Sequence, residues 1–293
     1  MKILLQFPEG LKKEALGYAE KYGKEGHEAF VSGSACYGAC DLALDEARAV
    51  NAEKIIHFGH APFLKKSPVP VEYVEYHIDV NLDGIKKAVK EIKEGKIALG
   101  TTVQHIHQLN EIKKIFEDSG KKVFIGKGML AHYEGQVLGC DHHAVTNSEA
   151  DAIVIVGDGL FHAIGLETDK PVYVIQPKSG IIRNLEKEIE KMKKRRKGSI
   201  AKAFECSKFA VLLSTKPGQF KPELAEKLKK ELEAKGKEAV IIVANEFSPL
   251  SLANFGFECY VNTACPRIAD DIEAFGKPIL NPDMVKEMLD QLH

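Results

Sequence analysis

The sequence predicts an α/β protein of three similar domains, each a small parallel sheet flanked by helices. Three observations predict it. Short, nearly continuous apolar runs alternate with stretches of helical spacing, the pattern of parallel strands covered on both faces. The alternation restarts near residues 2, 96 and 208, which marks units of about 100 residues. The third strands of the units also superpose. Lys54-Ile55-Ile56, Asp151-Ala152-Ile153-Val154 and Glu258-Cys259-Tyr260-Val261 each lead into a polar turn, which puts His60, Asp158 and Cys265 at equivalent places. One large doubly wound sheet would give similar regularity, but this superposition favours repetition. The domains are read as residues 1–92 with Cys40, 93–203 with Cys140, and 204–293 with Cys265.

In the first unit, residues 2–7 form an apolar strand stopped by Pro8-Glu9-Gly10. Residues 11–23 have helical spacing, with Leu11, Ala15, Leu16 and Ala19 on one face, and Gly26 ends the helix. Residues 27–32 form a second strand that closes at Gly33-Ser34-Ala35-Cys36-Tyr37-Gly38-Ala39-Cys40-Asp41. A helix over 42–52 follows, then a strand over 54–58 ending at Gly59-His60-Ala61-Pro62, and 69–78 alternate as a fourth strand.

The second unit opens with a strand at 96–100 ending at Thr101-Thr102-Val103-Gln104-His105, and a helix over 106–119 closed by Gly120. A strand at 121–125 precedes a longer excursion to Cys140, a helical segment over 144–150, and a strand at 152–156 ending at Gly157-Asp158-Gly159-Leu160-Phe161-His162. Residues 171–175 complete the unit. The third unit has strands at 208–213, 238–243, 259–261 and 277–280, a strongly amphipathic helix over 223–236, and a terminal helix. Residues 179–203 join the last two units. Their basic run, Lys191 and Lys193 to Lys197, reads as a solvated helix face, with a docking surface for an acidic partner as the sharper alternative.

Composition narrows the class. A chain of 293 residues that is 44% hydrophobic and 28% charged folds as a soluble protein with a sizeable core. Its net charge of -1 is not built to neutralise nucleic-acid phosphates, so no direct nucleic-acid partner is expected. No apolar run approaches the roughly 20 residues of a membrane span, and the first apolar run breaks off too early for a signal peptide, so a cytoplasmic location is expected. Six cysteines in that setting read as reduced thiols or metal ligands rather than disulfides.

Ligands of parallel α/β sheets bind beyond the carboxyl ends of the strands. The three cysteine turns lie there, as do Gln6, Gln104, Asp158, His162, Lys216 and Gln219. Three thiolates hold three irons of a four-iron cubane and leave the fourth open to a substrate. Spacing alone leaves structural cysteines as an alternative, because only Cys36 and Cys40 are close in sequence. Cys206 and Cys259, flanked by apolar segments, read as core, and Cys36 stands between the two readings. Cys140-Asp141-His142-His143 offers a zinc set, and a nucleophilic cysteine beside a histidine is a third possibility. His57, His60, His105, His107 and His132 are too many to assign. No G-x-G-x-x-G follows the first strand and there is no Walker loop. No residue is singled out as catalytic.

At these residues the chain resembles the archaeal diphthamide synthase family, 2-(3-amino-3-carboxypropyl)histidine synthase. The stretches that carry the resemblance are Gln6-Phe7-Pro8-Glu9-Gly10-Leu11, Tyr37-Gly38-Ala39-Cys40-Asp41, His57-Phe58-Gly59-His60, Gln136-Val137-Leu138-Gly139-Cys140, Phe161-His162 with Gly165, Ser214-Thr215-Lys216-Pro217-Gly218-Gln219, and Asn262-Thr263-Ala264-Cys265-Pro266-Arg267. They run through essentially the whole chain. The resemblance implies a noncanonical radical enzyme that uses S-adenosylmethionine. Its three α/β domains are arranged around a central iron-sulfur site, and each supplies one cysteine to a 4Fe-4S cluster: Cys40, Cys140 and Cys265. It implies one electron from the reduced cluster, cleavage between sulfur and the methionine γ-carbon, and addition of the 3-amino-3-carboxypropyl radical to C2 of a histidine of translation elongation factor 2. A homodimer and an electron donor are implied as partners.

For the S-adenosylmethionine itself the candidates are Gln104, Asp158, His162 and Lys216, each of which has a turn-stabilising hydrogen bond as its plainer role. A zinc-dependent hydrolase and a non-catalytic three-domain protein that docks the elongation factor stay open as alternatives.

Overall fold

Three sheets carry the chain, and all three share one strand order. The computed structural model describes residues 1–292, with Asp271 and Ile272 described by their backbone alone. In the first sheet, β1 (Lys2–Gln6), β2 (Glu28–Val31), β3 (Lys54–Phe58) and β4 (Val71–Val74) lie as β2-β1-β3-β4, all parallel. In the second, β5 (Lys96–Thr101), β6 (Lys122–Phe124), β7 (Ala152–Val156) and β8 (Val172–Ile175) repeat that order, and β9 (Ile182–Asn184) extends it. In the third, β10 (Lys208–Ser214), β11 (Glu238–Ala244), β12 (Cys259–Asn262) and β13 (Ile279–Leu280) lie as β11-β10-β12-β13. The first strand of each set stands between the second and the third, as three repeats require.

The antiparallel β9 departs from the all-parallel expectation. Only residues 176–181 separate it from β8, too short a connection for a parallel crossover. Gly180 turns the chain there with φ +70.

The helices are α1 (Ala15–Lys24), α2 (Leu44–Ala49), α3 (Leu82–Val89), α4 (Leu109–Asp118), α5 (His143–Thr146), α6 (Glu186–Phe204), α7 (Pro222–Ala234), α8 (Pro249–Leu252), α9 (Ile272–Phe275) and α10 (Pro282–Asp290). Two differ from the sequence reading in content. In α1 the inward face comprises the half-buried Ala15, Tyr18, Ala19 and Tyr22, which pack with Leu11 on Phe7 and Phe58, whereas Leu16 is 72% exposed. The spacing 11, 15, 18, 22 is one helical stripe, and position 16 falls off it. Helix α3 was not expected. Asn81 caps it by accepting from the Gly84 amide at 3.1 Å, and Ile85, Ala88 and Val89 bury the face.

The chain forms two compact units. One comprises Met1–Leu160 with Lys170–Asn184 and holds the first two sheets. The other comprises Phe161–Asp169 and the chain from Leu185 on, with the third sheet. Helix α6 belongs to the second unit and is more than a solvated face. Ile189, Met192, Ile200 and Ala203 are buried on one side of it. Three of its basic residues are paired within the unit: Lys193 with Asp169 at 2.6 Å, Arg195 with Glu273, and Arg196 with both Glu167 and Asp270. Among the described residues no helix is long and apolar enough to cross a membrane.

Candidate functional site

Each expected cysteine sits in a turn whose backbone is gripped by a buried polar side chain. In the first turn the grip comes from Gln6, the last residue of β1, which is 2% exposed. Its Nε2 donates to the Asp41 carbonyl at 2.6 Å and its Oε1 accepts from the Ala43 amide at 3.2 Å. The Asp41 amide donates to the Gly38 carbonyl at 3.0 Å and closes the turn around Cys40.

The second turn is held against β5. Thr101 and the chain at 135–137 exchange two backbone bonds of 2.8 Å. A Cβ on Gly100 would stand 2.5 Å from the Val137 side chain and 2.6 Å from that of Val145, so only glycine lets this loop approach the strand. Buried Asp141 follows Cys140 directly. Its carboxylate accepts from the amides of Leu130 at 2.5 Å, Ala131 at 3.2 Å and His143 at 3.1 Å, and from His143 Nδ1 at 2.9 Å. Burial alone would raise this carboxyl, but the hydrogen bonds from Leu130, His143 and Ala131 win and hold it below the usual carboxylate range.

The third turn follows β12. Asn262 Nδ2 donates to the Cys265 carbonyl at 2.8 Å, and its Oδ1 accepts from the Ala264 amide at 3.1 Å. Asn281 fixes the other side by donating to the Pro266 carbonyl at 3.1 Å. Cys265 thus follows a third strand, whereas Cys40 and Cys140 follow second strands, as the sequence implied.

Exposure sorts the six cysteines into two sets. Cys140 is exposed and Cys40 and Cys265 are half-buried, while Cys36, Cys206 and Cys259 are buried. Cys259 donates to the Pro278 carbonyl at 3.5 Å, and the neighbouring Cys206 sulfur together with burial pushes its thiol up, away from the thiolate a metal needs. The accessible set is the three cysteines on the strand-end turns.

The remaining candidates take separate places. Gln104 donates its amide to the Gly59 carbonyl at 3.1 Å and so ties the end of β5 to the turn after β3. Asp158 is exposed after β7 and lies near His105, whose imidazole burial lowers while Asp158 pulls the other way. The His162 ring meets Phe161 edge-on at 5.2 Å, and the Arg267 guanidinium lies 5.0 Å from the Phe161 ring centre. His162 is thereby brought to the Cys265 turn. Lys216 is 5% exposed at the carboxyl end of β10, and its backbone amide donates to Ser214 Oγ at 3.2 Å.

Among the described residues the ligand atoms of the Cys140-Asp141-His142-His143 run do not gather within 4.8 Å of one another as a zinc set. A different group does come together. One ligand atom each from Cys36, His57 and His60 lies within 4.8 Å of the other two. The sequence reading named these residues without assigning them. The signal that was present is the H-x2-H spacing across the end of β3.

The family model of the diphthamide synthesis proteins matches residues 7–291. A 2-(3-amino-3-carboxypropyl)histidine synthase of Pyrococcus horikoshii is 38% identical over 98% of this chain and 85% of its own length. The enzyme of that name from Methanocaldococcus jannaschii is 31% identical over 98% of this chain and 84% of its own. The crystal structure of Dph2 from Pyrococcus horikoshii with a 4Fe-4S cluster superposes with a TM-score of 0.91 at 35% identity, covering 100% of this chain and 87% of that one.

Proposed function

The chain belongs to the diphthamide synthesis family and is a transferase, and on that premise we propose that it moves the 3-amino-3-carboxypropyl group of S-adenosylmethionine to C2 of a histidine of translation elongation factor 2. Cys40, Cys140 and Cys265 are the proposed ligands of a 4Fe-4S cluster. The observation that carries this is the division of the cysteines. The three on gripped strand-end turns are accessible and the other three are buried. Bound there, the cluster supplies the single electron that cleaves the sulfonium. Three protein ligands leave one iron for the substrate.

The chain's own share is binding and orientation. Lys216, a buried cation beyond β10, suits the carboxylate of the methionine part, and Asp158 suits its amino group. Gln104 positions the Gly59-His60 turn, and His162 stands by the Cys265 turn. The division into domains at 92/93 and 203/204, the homodimer and a separate electron donor belong to the same proposal.

The test is an anaerobic incubation with a strong reductant, S-adenosylmethionine and archaeal elongation factor 2. The expected products are methylthioadenosine, little 5′-deoxyadenosine, and a factor carrying the 3-amino-3-carboxypropyl group on one histidine. A factor with that histidine replaced gains none. Predominant 5′-deoxyadenosine would mean cleavage at the ribose carbon, and no cleavage by the intact reduced cluster would favour a binding role.

A further inference from the structure

We propose that Cys36, His57 and His60 form a second metal site, for a single zinc-class ion, separate from the cluster cysteines. Three observations carry it. The ligand atoms lie within 4.8 Å of one another. Zinc binds sulfur at about 2.3 Å and imidazole nitrogen at about 2.0–2.1 Å in tetrahedral sets, so a small adjustment gathers all three on one ion. The set is also sheltered, with Cys36 3% and His57 0% exposed.

The third observation is the tautomer. Gln6 Nε2 is committed to the Asp41 carbonyl, which leaves Oε1 facing His57. His57 Nδ1 stands 2.9 Å from that oxygen and must therefore be the protonated nitrogen. Its Nε2 is left with a lone pair, directed at His60 Nδ1 at 2.9 Å. A ring nitrogen fixed as donor to a polar partner, with a lone pair left on the other, is the arrangement of a metal-ligating histidine. In the metal-free chain His60 Nδ1–H donates to this lone pair. On loading, that proton moves to His60 Nε2 and both imidazoles turn a bare nitrogen to the ion. Cys36 loses its proton to solvent.

Thiolate with two neutral imidazoles suits zinc, and three protein ligands leave a fourth position open. The ion would pin the loop that leads to the Cys40 turn against the end of β3.

The experiment separates this site from the cluster. In the full chain carrying Cys40→Ala, Cys140→Ala and Cys265→Ala, the proposed cluster ligands are gone and the second set is intact. Titrated without oxygen with cobalt(II), that variant should bind one equivalent. It should show a thiolate-to-cobalt charge-transfer band and the intense visible bands of tetrahedral cobalt, all bleached by zinc. Adding Cys36→Ser should abolish the charge-transfer band, and adding His60→Gln should weaken binding by about tenfold or more. Circular dichroism checks that each variant folds. If Cys36→Ser unfolds, His60→Gln at its half-buried position carries the test. No band in the triple variant, a band that survives Cys36→Ser, or undiminished affinity with His60→Gln would overturn the site. None of these outcomes depends on the activity proposed above.

Discussion

Gln6 donates its side-chain amide to the carbonyl of Asp41, 2.6 Å away and 35 residues along the chain. The same side chain accepts from Ala43 and from His57. One buried amide therefore ties the first strand to the Cys40 turn and sets the tautomer of a neighbouring imidazole. Gln6→Leu keeps the volume and leaves three buried polar groups without their partner, each worth about 1–3 kcal/mol when stranded. Urea unfolding should show a loss in that range or above, and iron uptake on anaerobic reconstitution should fall. A variant with full stability and full iron would remove Gln6 from this role.

His57 and His60 make the metal-free protein sensitive to mild acid. Burial, with His60 adding repulsion, lowers His57 from 6.5 to about 3, and burial lowers His60 to about 4. Below pH about 6.5 the unfolded chain takes up protons on these rings that the folded chain refuses until about 4 and about 3. Stability should therefore fall as the pH drops below 6.5, by up to about 1.4 kcal/mol per unit for each ring. Urea midpoints between pH 6.5 and 4.5 measure it. His60→Gln should flatten the slope, and an unchanged slope would count against the assignment.

Cysteine replacement should divide as exposure does. Alanine at Cys40, Cys140 or Cys265 should lower the iron content sharply with the fold retained. Alanine at Cys206 or Cys259 should leave it nearly intact, at a cost of about 1 kcal/mol or more in stability for the buried sulfur lost. Loss of iron from a folded Cys206 or Cys259 variant would overturn the ligand set.

Two glycines should respond in opposite directions to alanine. A Cβ on Gly84 would stand 2.9 Å from the Gly180 Cα, where α3 crosses the backbone of the 176–181 turn. Gly84→Ala should cost about 1–3 kcal/mol by overpacking. Gly17 lies within α1 with nothing near its Cβ position, and Gly17→Ala should add about 0.5–1 kcal/mol. Thermal melts of the two variants side by side decide it.

The sequence by itself determined what local periodicity encodes. β3 and β7 run over the residues their apolar stretches marked, and β1, β5 and β10 begin at the expected restarts. Cys206 and Cys259 are buried as their apolar flanks implied. Sequence order also placed Cys265 after a third strand and the other two cysteines after second strands. α3 was legible in principle from Asn81 and the Ile85, Ala88, Val89 spacing, but Gly84 masked it.

Tertiary structure alone decided which side chains meet. Cys36 reaches His57 and His60 because β1 lies between β2 and β3 and brings their carboxyl ends together at Gln6. Arg196 pairs with Asp270 only because α6 folds onto the third sheet's unit. Hydrophobic periodicity is a property of one segment, whereas a contact depends on the order in which segments pair. That order is fixed by burial across the whole chain, so no local window contains it.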